Sequence, residues 1–367
     1  MSTRSRSMRA GVAGLGLLLT LAGCGSSAPA RSARPAGASH HGPTQTAGAR
    51  RGGSGQRHEV RPRRLVLVTD PVDDHVLFVS VPQLRVLRRM TIPGEPEYAE
   101  TIGADGAAVV SARSGTVTLL SGPRWHTARV LNGLVAPHIP ALAPGGDALY
   151  VTDDATGRLA AIALTNQRIV SRTFVGLGAH HLAFSPTAAQ VWVALGQSAR
   201  TITILSTRTP PPPGTTGSHS VNPARPHVVA QFDPGYRAHD LKFTPDGRSV
   251  WVTSASGPTI GVFDARTHRL RFRVPGGAPP QHVIFSGHDA YVTSGYGSSI
   301  ERVRWATGRV LRRVAAPYGS FELDTSGPYV ITSSLLRGTL AVYDRQLRFL
   351  RVRRVAASAE DVTSFAP

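Results

Sequence analysis

Histidines recur in front of short apolar runs in the second half of the chain, at places that suggest proton, hydrogen-bond or metal chemistry. The segments AHHLAFSP (179–186), AHDLKFTPDG (238–247) and PQHVIFSGHD (280–289) resemble one another. An imidazole can exchange a proton near neutral pH, donate or accept a hydrogen bond, or bind a metal ion. If the three segments occupy equivalent places in a repeated fold, their histidines converge on one site.

The positions of these segments follow a repeat of about 40 residues. Its most regular part is a strand of the type Tyr/Trp-Val-Thr, found as LVLVT (65–69), AAVVS (107–111), ALYVT (148–152), QVWVA (190–194), SVWVT (249–253), DAYVT (289–293) and YVIT (329–332). Consecutive copies are 39 to 42 residues apart, except for one interval of 59 that contains a Pro/Gly-rich insertion at 207–226. Seven copies of one unit predict a repeat architecture.

Each unit is predicted to form four short antiparallel strands. Apolar and polar residues alternate, turn residues follow every 8 to 12 positions, and no segment has a convincing helical period. Four-stranded units that cannot bury both faces alone pack radially, so we predict an all-β, seven-bladed β-propeller over residues 64–367.

The repeat resembles the YVTN-repeat, YncE-like family of β-propellers, whose blade architecture is similar to that of WD40 repeats. Tyr150-Val151-Thr152 and Tyr291-Val292-Thr293 match the motif literally, and Trp251-Val252-Thr253 is a close variant, whereas 107–111 and 190–194 depart from it. The resemblance covers about residues 65–367 and implies a propeller; it does not imply a particular ligand.

The two ends of the domain are predicted to form one blade together. The chain enters the domain at Arg64 directly on a second strand, and the C-terminal DVTSFAP (361–367) resembles the inner strand DLKFTP with nothing after it. Pairing of these N- and C-terminal strands closes the ring and removes two open edges.

The residues before the propeller predict export and anchoring. Three arginines precede an apolar run of about 12 residues, which is too short to span a bilayer and is typical of a signal peptide, here 1–23. Leu21-Ala22-Gly23-Cys24 resembles the lipobox of bacterial lipoproteins, which implies lipidation of Cys24, the only cysteine. Residues 24–63 are rich in Gly, Ser, Pro and Arg and predict a flexible tether.

Aligning the starts of the predicted inner strands gives the residues that we expect at one mouth of the central channel. The aligned position holds Asp361, Tyr98, His138, His180, His239, Gln281 and Ser320, and the next position adds His181, Asp240 and His282. Loops between second and third strands open on the same face and add carboxylates such as Asp153. We therefore predict a ligand-binding rim made of His138, His180, His181, His239, Asp240, His282, Tyr98, Asp153 and Asp361.

Three interpretations of this rim are open. Polar side chains suit an aqueous channel; they can also orient an organic or peptidic ligand in a concave pocket, or hold a metal ion. No H-x-x-x-H spacing is present, and adjacent blades can hold side chains too far apart for metal bonds of about 2.1 Å. The sequence therefore predicts a scaffold that binds a protein, peptide or small molecule, without a cofactor or a bound metal.

The alternative function is an envelope enzyme of the lactonase or lyase type. The sequence has no G-x-S-x-G elbow, no phosphate-binding glycine loop and no H-E-x-x-H. A rim histidine with a carboxylate neighbour could still act as a base, either His239 with Asp240 or His282 with Glu322.

Arginines dominate the charge of the chain. The formal net charge is +19, of which residues 65–367 carry +9 and the predicted tether and signal carry the rest. Within the domain, arginines concentrate on or before the predicted outer strands of blades five, six, seven and one. Charged outer strands prevent edge-to-edge pairing, and anionic lipid is a possible partner. Few aromatic residues accompany them, so we predict that the domain does not bind nucleic acid. We also predict a monomer that meets the membrane through its lipid.

Overall fold

The computed structural model describes residues 64–196, 199–209, 220–221, 225–277 and 279–365. The regular elements in these ranges are β-strands throughout. In chain order they are β1 (Leu65–Asp70), β2 (His75–Ser80), β3 (Val86–Thr91), β4 (Pro96–Ile102), β5 (Gly106–Ser111), β6 (Thr116–Ser121), β7 (His126–Leu131), β8 (Pro137–Leu142), β9 (Ala148–Asp153), β10 (Arg158–Ala163), β11 (Arg168–Phe174), β12 (His181–Phe184), β13 (Gln190–Ala194), β14 (Ile202–Ser206), β15 (Arg208–Thr209), β16 (Ser220–Val221), β17 (His227–Phe232), β18 (Ala238–Phe243), β19 (Ser249–Ser254), β20 (Thr259–Asp264), β21 (Leu270–Pro275), β22 (Val283–Ser286), β23 (Asp289–Thr293), β24 (Ser299–Arg304), β25 (Arg309–Ala315), β26 (Ser320–Ser326), β27 (Tyr329–Ser334), β28 (Thr339–Asp344), β29 (Phe349–Arg354) and β30 (Val362–Ser364).

Seven antiparallel sheets of four strands form the blades of a propeller, as predicted. From the inner to the outer strand, blade 1 is β30-β1-β2-β3, blade 2 is β4 to β7, blade 3 is β8 to β11, blade 4 is β12-β13-β14-β17, blade 5 is β18 to β21, blade 6 is β22 to β25 and blade 7 is β26 to β29. The predicted Tyr/Trp-Val-Thr strands are the second strand of each blade.

The hydrophobic core lies between the blades. Second strands such as β9 and β19 are buried at every position, because both faces of each sheet pack on a neighbouring sheet. Seven apolar clusters fill the seven interfaces between blades. The cluster between blades 7 and 1, which contains Ile331 and Val66, completes the ring.

The C-terminal strand closes blade 1. β30 pairs with β1 in the register Val66↔Ser364, Leu67↔Thr363 and Val68↔Val362. Phe365 follows and is buried against Phe78. The chain therefore supplies the inner strand of its first blade last, which confirms the predicted closure.

The Pro-rich insertion departs from blade 4 between its third and outer strands. Its base is a short ribbon in which β15 pairs with β16. Connections between third and outer strands lie at the end of each blade opposite to the start of the inner strand, so this ribbon is on the face away from the histidines. The remainder of the insertion lies outside the described residues.

The predicted signal peptide, Cys24 and the tether lie outside the described residues. No helix in the described ranges is long and apolar enough to cross a membrane.

Candidate functional site at the channel mouth

In blades 1, 3, 5 and 6, the threonine of the Tyr/Trp-Val-Thr strand fixes the starts of two inner strands. The Thr152 hydroxyl accepts a hydrogen bond from the backbone N–H of Ile139 (3.0 Å) in its own blade and donates one to the carbonyl of His180 (2.7 Å) in the next. Thr253 makes the same pair of bonds, with the N–H of Asp240 and the carbonyl of Gln281. The repeated motif thus sets the backbone position of the residues at the channel mouth.

These bonds define two rows of equivalent residues, one from each inner strand. The mouth row, whose carbonyls face the preceding blade, is Glu97, His138, His180, His239, Gln281, Phe321 and Glu360. The cavity row, one residue later, is Tyr98, Ile139, His181, Asp240, His282, Glu322 and Asp361. All seven residues of the cavity row line a cavity of about 300 Å³ in the central channel.

The sequence alignment of the inner strands was wrong in five blades. It placed His138, His180, His239 and Gln281 level with Tyr98 and Asp361, whereas they precede the cavity row by one residue, and Ser320 precedes it by two. The starts of four inner strands contain pairing irregularities, at Pro96/Tyr98, Pro137/Pro140, Ala238/Leu241 and Ser320/Leu323. Blades 4 and 6 are shifted without such an irregularity, so the common cause is that the number of residues between the cavity row and the following turn differs between blades.

Five imidazoles nevertheless form one continuous cluster, which we call the histidine arc: His138, His180, His181, His239 and His282, from blades 3 to 6. His138 stacks on His180 with ring centroids 3.9 Å apart. His181 contacts the other four rings and lies closest to His180 and His239, at 4.6 Å each. The ring geometry therefore brings together every histidine predicted for the rim.

Carboxylates contact the edge of the histidine arc. His180 Nδ1 lies 2.9 Å from Asp154 Oδ2, a hydrogen bond that lowers the pKa of this aspartate. His138 Nδ1 is 3.7 Å from Glu97 Oε2. These contacts orient the two rings and leave their Nε2 atoms free to face other partners.

His282 lies between two carboxyl groups. Its Nε2 is 2.6 Å from Glu322 Oε1, though without the alignment of a hydrogen bond, and its Nδ1 is 3.6 Å from Asp240 Oδ2. Of the two acid–base pairs proposed from the sequence, the structure forms His282 with Glu322. Asp240 turns instead toward the next blade, where its Oδ2 accepts a hydrogen bond from the Val283 N–H (3.0 Å).

His181 is the most deeply buried member of the arc. Its side chain is 2% exposed, and neither ring nitrogen has a hydrogen-bond partner within the described residues. Burial, with the neighbouring histidines, holds its pKa well below 6.5, and burial does the same for the pKa values of His138 and His239. Burial lowers the pKa of His282 to about 4. These four rings are neutral at pH 7 and offer nitrogen lone pairs.

The opposite side of the channel is acidic. We call it the carboxylate arc: Glu97, Glu100, Glu322, Asp324, Glu360 and Asp361, from blades 7, 1 and 2. Burial raises the pKa of Glu100 to about 8 and that of Glu360 to about 9. Burial also raises the pKa values of Glu322 and Asp361 well above their usual range. Lys242 is the one lysine of the chain and also lines the cavity.

Three predicted rim residues have evident structural roles. Asp153 is 3% exposed and its two oxygens accept hydrogen bonds from the N–H groups of Val135 and Ala136, both at 3.0 Å. Asp361 accepts bonds from the N–H groups of Ala99 and Val362. Tyr98 packs its ring edge on His138 with centroids 4.6 Å apart. Asp361 and Tyr98 also line the cavity, whereas Asp153 fixes a loop beside it.

Several site residues were not identified from the sequence. Glu97, Glu100 and Asp324 approach the cavity only because the ring closes, so no local pattern marks them. Gly196 has φ of +56°, and a Cβ there would lie 2.9 Å from His180 Cβ. A glycine just after the second strand of a blade could have indicated this part of the site in the sequence, because a positive φ and the close approach of His180 both favour glycine.

The arginines lie apart from the channel, on the outer circumference. The outer strands of blades 5, 6, 7 and 1 carry ten arginines and no acidic residue, against three arginines on those of blades 2, 3 and 4. The prediction that they form one basic arc is confirmed by the order of the blades. Part of this charge is used internally, since Arg313 contacts the buried Glu301 at 2.7 Å.

Comparison with known proteins identifies the fold. No protein-family model and no curated protein matches the chain. A protein of unknown function from Desulfotomaculum acetoxidans is 14% identical, with a TM-score of 0.68 over 83% of this chain and 99% of that one. Hydrazine synthase of Kuenenia stuttgartiensis is 13% identical, with a TM-score of 0.59 over 72% and 88%.

A third structure is the dihydro-haem d1 dehydrogenase NirN, in complex with DHE. It is 15% identical, with a TM-score of 0.54 over 84% of this chain and 76% of that one. At these identities the similarity shows the propeller fold alone. The ligand of this chain has to be inferred from its own residues.

Proposed function

We propose that the protein is an exported binding protein, held at the membrane by a lipid on Cys24, whose propeller binds its ligand at the histidine arc. The observation that carries this proposal is His181, a buried imidazole with two unpartnered nitrogens among four other imidazoles. A buried polar atom without a partner costs about 1–3 kcal/mol, so a ligand that supplies the missing partner gains that free energy on binding.

The surroundings of His181 also favour binding. The cavity of about 300 Å³ lies beside it at the lower end of the size range of small-molecule sites, and polar side chains from every blade except blade 3 line it. Threonine hydroxyls of blades 1, 3, 5 and 6 and the Ser333 hydroxyl of blade 7 tie inner strands of neighbouring blades together, which favours a rigid scaffold. A preorganised site of this kind loses little conformational entropy on binding.

The location at the envelope is inferred from the N-terminal residues. The short apolar segment before Leu21-Ala22-Gly23-Cys24 supports export and lipidation, and the arginines of residues 24–63 favour contact with anionic headgroups. The resemblance to YVTN-repeat propellers is consistent with this assignment, and the threonine of that motif has a defined role here.

Native mass spectrometry of the full chain, extracted with detergent from membranes of cells that produce it, tests the proposal. We expect wild-type protein to carry a bound mass that His239→Asn lacks and that His126→Asn, a change of an exposed histidine outside the arc, retains. We also expect Cys24→Ser to move the protein to the soluble fraction. The binding site is contradicted if the wild type has only the mass of the bare chain, or if His239→Asn carries the same bound mass as the wild type.

A second candidate function, acid–base catalysis in a lactonase- or lyase-type reaction, is favoured by the close contact of His282 with Glu322. Two neutral groups at 2.6 Å can exchange a proton with a substrate held in the cavity. Assay of the wild type and His282→Asn on a panel of lactones separates the two functions. Turnover by the wild type that His282→Asn lacks, while ligand binding persists, favours the enzyme.

A further inference from the structure

Three imidazoles of the histidine arc lie in contact with one another and each brings a nitrogen close to the other two. We call His181, His239 and His282 the tripod. Their ring centroids are 4.6 Å (His181–His239), 4.9 Å (His181–His282) and 5.1 Å (His239–His282) apart, and the rings are mutually inclined by 53°, 54° and 76°. One nitrogen from each ring lies within 4.8 Å of one from each of the others.

This arrangement is close to that of a three-histidine metal centre. A tetrahedral ion with bonds of about 2.1 Å holds its imidazole centroids roughly 5 Å apart and its ligand nitrogens roughly 3.4 Å apart. The centroids of the tripod already have this spacing. The nitrogens, which lie within 4.8 Å of one another, would approach the spacing of an ion's ligands by rotation of the rings.

The other trio of the arc, His138, His180 and His181, fits an ion less well. Its centroid distances spread from 3.9 to 5.6 Å, and two of its rings are stacked at 16°. Stacked rings present their faces to each other, whereas ligands of one ion must direct their edges toward it. This trio therefore serves better as a wall beside the tripod.

The groups around the tripod complete the requirements of a metal site. Glu322 contacts Nε2 of His282, which leaves Nδ1 of that ring for an ion, and a carboxyl against a ligating imidazole is the usual second partner. Asp240 Oδ2, 3.6 Å from the same Nδ1, supplies a negative charge beside the ion. Both nitrogens of His181 are buried without partners, so one is available without breaking a hydrogen bond.

We infer that the ligand of the histidine arc is a divalent transition-metal ion of the zinc class, bound by His181, His239 and His282. The inference rests on the proposed function, since it names the ligand of the same site. Imidazole nitrogen suits Zn²⁺, Cu²⁺, Ni²⁺ and Co²⁺, whereas Mg²⁺ and Ca²⁺ require oxygen ligands. His181 and His282 line the cavity, so a fourth position on that side would be open to water or a small anion.

Titration calorimetry of the metal-stripped full chain with Zn²⁺ tests the inference. We expect one ion per chain, and a loss of affinity of at least about 100-fold in His239→Asn. His138→Asn, which changes only the other trio, should stay within about tenfold of the wild type, and His126→Asn should be unchanged. Circular dichroism and thermal melting without metal establish that each variant is folded.

Cobalt substitution gives a readout that needs no variant. The wild type with one equivalent of Co²⁺ should show the intense visible bands of tetrahedral coordination. Absence of stoichiometric Zn²⁺ binding, only weak octahedral cobalt bands, or equal losses in His239→Asn and His126→Asn would overturn the metal site. If His138→Asn loses affinity and His239→Asn does not, the tripod is the wrong trio.

The proposed function has a separate failure. A wild type that binds no Zn²⁺ but carries an organic mass dependent on His239 refutes the metal and retains the binding site. A wild type with neither refutes both.

Discussion

The histidine arc and the carboxylate arc occupy the same ring of inner strands but respond to burial in opposite ways. Desolvation lowers the pKa of His282 to about 4 and raises the pKa of Glu100 to about 8, because it disfavours whichever form is charged. Near neutral pH both sides of the channel therefore carry far less charge than their composition suggests. A cation that enters the mouth meets neutral nitrogens on one side and acids ready to ionise on the other.

The largest expected effect comes from breaking the carboxylate arc at the ring closure. Deletion of residues 360–367 removes Asp361 together with β30, so blade 1 loses its inner strand and β1 becomes an open edge. We expect the midpoint of thermal unfolding to fall by more than about 10 °C, as one cooperative transition, or folding to fail.

Asp361→Asn is the matched control, since it replaces the carboxyl group by an amide and keeps the strand. It should melt within a few degrees of the wild type. A deleted chain with an unchanged melting temperature would refute the closure of the ring by its C-terminal strand.

A smaller effect is the pH dependence of folding stability, which distinguishes the carboxylate arc from the histidine arc. The folded state keeps the Glu100 proton up to about pH 8, whereas the unfolded chain releases it near 4.5, so folding stability falls as pH rises through this window. Asp324 and Asp361 strengthen the shift and Lys242 opposes it. The buried histidines act in the opposite direction up to about pH 7.5, because the unfolded chain still binds protons near the usual histidine pKa of 6.5 whereas the folded rings are neutral.

Denaturant unfolding of the wild type and Glu100→Gln at pH 6.5 and 8.5 measures this difference. We expect the wild type to lose about 1 kcal/mol more than the variant over this interval, after allowance for water in the channel. The contributions of the histidines and of the other buried carboxyl groups are common to the two proteins and cancel in this difference. If the free energy of unfolding changes equally in the two proteins between these pH values, Glu100 ionises normally and the channel does not desolvate it.

The smallest effect concerns the threonines that position the histidine arc. Thr152→Ala removes the bonds to Ile139 and His180 and should destabilise the fold by about 1–2 kcal/mol in denaturant unfolding. Ser111, at the equivalent place in blade 2, has a buried hydroxyl without a partner. Ser111→Ala should therefore change the stability by less than about 0.5 kcal/mol. Equal losses would mean that the cost reflects packing and not the bonds between blades.

The sequence predicted the ring better than it predicted the lining of the channel. Seven spaced copies of one strand and the unpaired DVTSFAP segment are local signals, and they specify the number of blades and the closure. The number of residues between the cavity row and the following turn has no comparable signal, and it differs between blades. The rim histidines were identified because they stand at the starts of the inner strands of consecutive blades. Their assignment to the mouth row or the cavity row was not predicted correctly.

The carboxylate arc was largely invisible to sequence reasoning for a different reason. Glu100, Asp324 and Asp361 are separated by up to 261 residues in the chain and meet only when blades 7, 1 and 2 close. Their shifted pKa values arise from this meeting and from burial. Glu322 was predicted as a partner of His282 because both stand at the start of inner strands in neighbouring blades.

Anomalous diffraction from crystals of the protein soaked with Zn²⁺, measured on both sides of the zinc absorption edge, tests the histidine arc most directly. We predict one strong peak at the channel mouth, about 2.1 Å from a nitrogen of each of His181, His239 and His282. A map with no peak at the mouth, or with zinc bound only at exposed histidines such as His126, would contradict it.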